Sequence, residues 1–103
     1  MSHFELTNIK SIMLTPANDL MNYTFPDTDI LNQIEDKRVR ITNLSKALTF
    51  GTSSQKGKTS LVLDTNNGQV RTEAVVIGFD NASVWLEGNI KLPMSALRSV
   101  DFI

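Results

Sequence analysis

TSLVLDTNNGQVRTEAVVIGFD, residues 59–80, is the stretch that decides the fold. Ser60-Leu61-Val62-Leu63-Asp64 reads as a strand, and Thr65-Asn66-Asn67-Gly68 as a hairpin turn, because Asn and Gly tolerate positive φ. A long return strand follows from Val70 to Phe79. Val70, Thr72, Ala74 and Val76 fall on one face of it; Arg71, Glu73, Val75 and Ile77 fall on the other. The outer face therefore turns apolar after Glu73. A strand apolar on both faces from its middle onward is bending into a barrel or under a partner, and Gly78 permits a bend.

Toward the C-terminus the same grammar repeats. Asp80-Asn81 makes a turn, Ser83-Val84-Trp85-Leu86-Glu87 a strand, Gly88-Asn89 a turn, and Ile90-Lys91-Leu92 another strand. Pro93 belongs at an edge or bend. Met94-Ser95-Ala96-Leu97 fits a tight turn, and Arg98 to Ile103 a last strand. Short strands at regular spacing with tight turns predict a small barrel.

Toward the N-terminus the signals are weaker. TSSQKGK, residues 52–58, is a loop without an apolar side chain. Arg38-Val39-Arg40-Ile41-Thr42-Asn43-Leu44 alternates strictly, with Val39, Ile41 and Leu44 turned inward, and Leu48 and Phe50 alternate again before Gly51. That pattern predicts β structure. A short helix is expected over 28–36, capped by Asp27 or Thr28, with Asp29 in its first turn near the positive dipole end and Ile30, Leu31 and Ile34 on its apolar face. Phe4, Leu6, Ile9 and Ile12-Met13-Leu14 fit one strand, ended by Thr15-Pro16; Ala17 to Tyr23 fits a helical turn or loop, and Pro26 closes it.

The 103 residues fit one domain, divided into an N-terminal extension and short helix over 1–36, a basic hairpin and loop over 37–58, and a barrel core over 59–103. Composition is that of a globular protein, with 41% hydrophobic and 20% charged residues. The chain has no cysteine, which excludes disulfides and thiolate metal sites. It has no apolar run near the roughly 20 residues a membrane span requires and no signal-peptide pattern at its start, so a cytoplasmic protein away from membranes is expected. Charge is segregated. Residues 1–36 carry six acids and one base, whereas 37–63 carry Lys37, Arg38, Arg40, Lys46, Lys56 and Lys58 with no acid. Such a segment either forms a basic face that meets phosphate or a solvated strand pair facing the acidic N-terminal segment.

Catalytic chemistry is hard to place. The only histidine is His3, which leaves neither a zinc ligand set nor a Ser-His-Asp arrangement with visible support. GTSSQKGKT, residues 51–59, has one residue too many for a phosphate loop, and Thr59 opens a strand where such a loop must open a helix. The acid pairs Asp27/Asp29 and Glu35/Asp36 fit capping and a solvated turn. No enzyme, cofactor, metal or small-molecule substrate is expected.

The SLVLDTNNG, QVRTEAVVIGFD and ASVWLEG segments resemble the strand, hairpin, long bent strand, turn and strand of the Sm/LSm family, most closely its bacterial Hfq branch, with Gly78-Phe79-Asp80 similar to the end of the family's first motif. IKLPMSALRSVDFI resembles the second motif, and DILNQIEDK followed by RVRITN is similar to the family's N-terminal helix and first strand. Two registers are open. The barrel starts at Arg38 with a long insertion, or it starts at Thr59 and residues 38–52 form an extra hairpin; the second is preferred. The TFPDTDI and VWLEG segments also resemble Sm-like proteins of viral, especially cyanophage, origin.

The resemblance implies a mostly β fold: a small Sm-like (SH3-type), strongly bent five-stranded barrel with a short helix and an N-terminal extension, closing a homo-oligomeric ring through its edge strands. Trp85, Leu97, Phe102 and Ile103 are its candidate interface, with a core aromatic as the other reading of Trp85. It further implies single-stranded RNA as ligand in a regulatory role, in the host cytoplasm if the protein is viral. The candidate pocket comprises Asp80, Asn81, Met94 and Ser95 with Arg98 nearby, and Lys56 and Lys58 of the 37–58 basic segment are further candidates for contact with RNA. Ala82 stands where Hfq-like proteins carry a stacking aromatic, and Met94-Ser95 where the family carries Lys-His or Arg-Gly, so the usual stacking and charge are missing. The alternative is a structural or protein-scaffolding ring that binds no RNA.

Overall fold

In the β1–β2 hairpin, the hydroxyl of Thr65 donates to the carbonyl of Gly68 at 2.7 Å and accepts from the amide of Asn67 at 3.0 Å, locking the turn the sequence calls for. Strand β1 (Thr59–Thr65) pairs antiparallel with β2 (Gly68–Ala74) over its whole length, from Thr59 opposite Ala74 to Thr65 opposite Gly68. The computed structural model describes residues 12–103.

The long return strand does bend midway, at Val75. It resumes as β3 (Val76–Phe79) and changes partner from β1 to β4 (Ser83–Leu86). Val75 and Val76 are both buried, which is why the sequence turns apolar on both faces there. Gly78 instead adjoins a register irregularity in the β3–β4 pair. β4 continues to β5 (Ile90–Pro93) through Gly88 at φ 99° and Asn89 at φ 63°, a turn open to few other residue types. The tight turn is a 3-10 helix, Met94–Ala96, and β6 (Leu97–Phe102) returns to pair antiparallel with β1. The result is mostly β: two three-stranded antiparallel sheets, β2-β1-β6 and β3-β4-β5, joined through the 68–79 ribbon.

Residues 34–51 overturn the hairpin expected within 37–58. They form one α-helix, α1 (Ile34–Gly51), which starts six residues later than the expected helix. Neither Asp27 nor Thr28 caps it: Gln33 is its N-cap, without a side-chain bond. The buried residues are Arg40, Leu44, Ala47 and Gly51, spaced as one helical stripe. Val39 and Ile41, expected inward, are exposed. The strand-like alternation was misleading because an arginine occupies a core-facing position and reads as polar.

The helix covers strand edges. A Cβ on Gly51 would stand 1.9 Å from the carbonyl oxygen of Val76, so glycine alone allows α1 to approach β3 this closely. Near the other end, Arg40 and Asn43 donate to the β6 carbonyls of Leu97 and Val100 at 3.0 and 3.3 Å. Such cover keeps a sheet edge from pairing indiscriminately.

The segment before α1 wraps the sheets. Met13 and Thr15 exchange backbone bonds with Arg71 of β2, and Leu14 forms an isolated parallel bridge there. A 3-10 helix, Ala17–Asn22, inserts Leu20 into the core. Thr24 bonds Asn66 of the hairpin, and Ile30 donates to the carbonyl of Ser95. The expected strand over residues 4–14 falls largely outside the described residues. Among the described residues, no helix is long and apolar enough to cross a membrane.

Candidate nucleic-acid interface

The fold brings together the two turns that the resemblance nominates. The amide of Met94 donates to the carbonyl of Ala82 at 2.9 Å, which sets the 80–82 turn beside the second 3-10 helix. Asp80 shapes its own turn: one carboxylate oxygen accepts from the amides of Ala82 and Ser83 at 2.8 and 2.9 Å. Asn81 is exposed.

The other candidates there are committed within the chain. Met94 is 3% exposed and belongs to the core, so it cannot pack on a base. The Ser95 hydroxyl donates to the carbonyl of Pro26 at 2.8 Å. Arg98 is held by Asp64 through two bonds of 2.8 and 2.5 Å, and its pKa is raised because it donates to that carboxylate. The 26–30 segment thus lies against the turn that would complete a base pocket.

The cations of residues 37–58 do not form one face. Arg40 is buried and bound to Asp29, Arg38 pairs with Glu35 at 3.3 Å, and Lys56 pairs with Glu87 at 3.2 Å. Lys58 is exposed beside Leu14, Thr15, Pro16 and Glu73. Asp29, expected in a helix's first turn, precedes α1. Its carboxyl lies below the ordinary 3.8, chiefly because Arg40 donates to it, aided by the Leu31 amide and opposed by burial.

The interface candidates divide. Leu97 is 1% exposed and lies in the core of the single chain, which corrects its expected place at an exposed contact. Phe102 and Ile103 are exposed, and Phe102 meets Phe50 of α1 edge to face at 5.5 Å.

Trp85 points away from the core. Its strand neighbours Val84 and Leu86 are buried, whereas the indole is half-buried on the opposite face of the β3-β4-β5 sheet. Lys91 lies directly across on β5, with its ammonium 6.0 Å from the ring centroid. Gly78 is the cross-strand partner on the other side and places no side chain over the ring. Sequence reasoning named Trp85 but not its neighbours. The cross-strand alternation of SVWL and IKLP contained that pairing.

His3 lies outside the described residues, and among those described no three His, Cys, Asp or Glu side chains gather as a metal site. Comparison with family models, with curated proteins and with solved structures finds no match to this chain.

Proposed function

We propose that this chain is an Sm-like (SH3-type) barrel protein that acts by binding, with single-stranded RNA as its ligand and no reaction of its own. The observation that carries this reading is the strand path. One ribbon serves both sheets, two short strands follow, a 3-10 turn intervenes, and the last strand returns to the first. That path supports the bent-sheet reading drawn from the motif resemblance. RNA is chosen over other ligands on that resemblance together with an outward indole beside a lysine. The test is binding of labelled U-rich and A-rich RNA across a salt series. Saturable binding that weakens with salt supports the reading; no binding at low salt removes it.

A protein-scaffolding ring is the second reading. Phe50, Phe102 and Ile103 are exposed beside the β6 edge, and Met94, Ser95 and Arg98 are engaged internally. Because Arg40 and Asn43 already bond the Leu97 and Val100 carbonyls, a ring would close on the β5 edge and the last residues of β6. Light scattering on the purified chain decides this. A mass of several protomers supports a ring, and a monomer excludes one.

A further inference from the structure

The RNA reading places bases between the 80–82 turn and the second 3-10 helix, where the side chains are already occupied. The outer face of the β3-β4-β5 sheet offers different chemistry. The indole of Trp85 is half-buried, with the Lys91 ammonium over its ring at 6.0 Å from the centroid. On the other side the ring packs against Gly78, where an added Cβ would stand 3.8 Å from the indole Cε3, and Ile77 is 48% exposed on the same strand. Lys56 reaches this region from the 52–58 loop through its contact with Glu87, two residues beyond Trp85. Both partners of that contact are exposed, and such pairs are weak enough to exchange for another anion.

From this arrangement we infer that the Trp85 face is a stacking platform for single-stranded nucleic acid: one base lies on the indole while Lys91 and Lys56 meet the flanking phosphates. The inference rests on the RNA reading and moves its site. An aromatic on a sheet face is sequence-tolerant, since every base has a π-face, and nearby ammonium groups supply the salt-dependent part of affinity. The Lys91 ammonium lies over the indole's negative face, 6.0 Å from the ring centroid, and its flexible stem lets it swing to a phosphate when a base takes that face.

The chain has a single tryptophan, so its emission reports this face alone. A short oligo-U RNA is titrated at low salt with two readouts: Trp85 fluorescence, and anisotropy of a label on the RNA. The expected result is quenching that saturates in step with anisotropy. Lys91→Ala, at an exposed position, is expected to keep the circular dichroism spectrum and lower the log–log salt slope by about one. Trp85→Leu is expected to weaken binding about tenfold, with Trp85→Phe recovering part of the loss and controlling for lost packing. Anisotropy without quenching overturns the platform and leaves the RNA reading intact. No anisotropy change overturns both. Quenching that tracks protein concentration alone, with a rise in scattering mass, makes the face a subunit contact and overturns the platform.

Discussion

Arg40 Nη2 lies 2.6 Å from Asp29 Oδ2, and Arg40 Nη1 lies 2.9 Å from Asp29 Oδ1. This two-pronged pair ties the segment before the helix to the helix itself, and Nη1 extends it to the carbonyl of Leu97 on β6. Arg40 is 4% exposed, and among the described residues Asp29 is the one carboxylate that meets its charge.

Removing the carboxylate therefore costs more than removing the cation. Asp29→Asn leaves a buried guanidinium without its counter-charge and is expected to lower stability by about 2–3 kcal/mol, below the range for a fully buried pair because Asp29 is partly open to water. Arg40→Met keeps an apolar stem and leaves a carboxylate that water can reach; about 1 kcal/mol is expected. Urea denaturation of both variants measures the order, and equal losses would show that the guanidinium finds other partners.

The same pair sets an acid limb. The Asp29 pKa in the fold lies below its ordinary 3.8, so the stabilisation is present above that value and is lost as pH falls through the folded pKa. The stability gap between the wild type and Asp29→Asn is expected to be constant near neutrality and to shrink below about pH 4. Denaturant midpoints from neutral pH downward provide the measurement. A gap that persists at the lowest pH would assign the loss to packing.

Gly51→Ala tests the helix–strand approach. Helix propensity alone favours alanine by up to about 1 kcal/mol. The new Cβ, however, would meet the Val76 carbonyl oxygen at 1.9 Å, so α1 must shift off β3. A net loss of about 2 kcal/mol is expected, and thermal melting should fall by about 8–16 °C at this size. An unchanged or higher melting temperature would mean the helix can move at no cost.

Leu97→Asp and Phe102→Asp separate core from surface on one strand. Leu97 is enclosed, and an unpaired carboxylate there is expected to unfold the chain. Phe102 is 42% exposed, so its replacement should leave the fold within about 1 kcal/mol of the wild type and reduce only self-association. Circular dichroism reads the first effect and light scattering the second. A folded Leu97→Asp variant would contradict the assigned core.

The β1–β2 hairpin, the bend within 68–79 and the positions of β4, β5 and β6 were legible in the sequence. Their signals are local: alternation over a few residues, Asn-Gly turn chemistry, a proline at a strand end. The bend showed itself because Val75 and Val76 are buried on opposite faces. The helix was not legible from the same alternation, since Arg40 takes a core position that only a distant carboxylate makes tolerable. Propensity and periodicity do not report such a pairing.

The candidate pocket divides in the same way. The motif resemblance anticipated that the 80–82 turn would adjoin Met94. It did not disclose that Ser95 bonds Pro26, that Arg98 is held by Asp64, or that Leu97 faces inward; those commitments join residues far apart in the chain. The sequence by itself thus determined strand order along the chain, turn positions and the bend, because neighbouring residues dictate backbone conformation. Only the tertiary structure decided which polar side chains remain free for a ligand, because that depends on partners which the chain brings together when it closes.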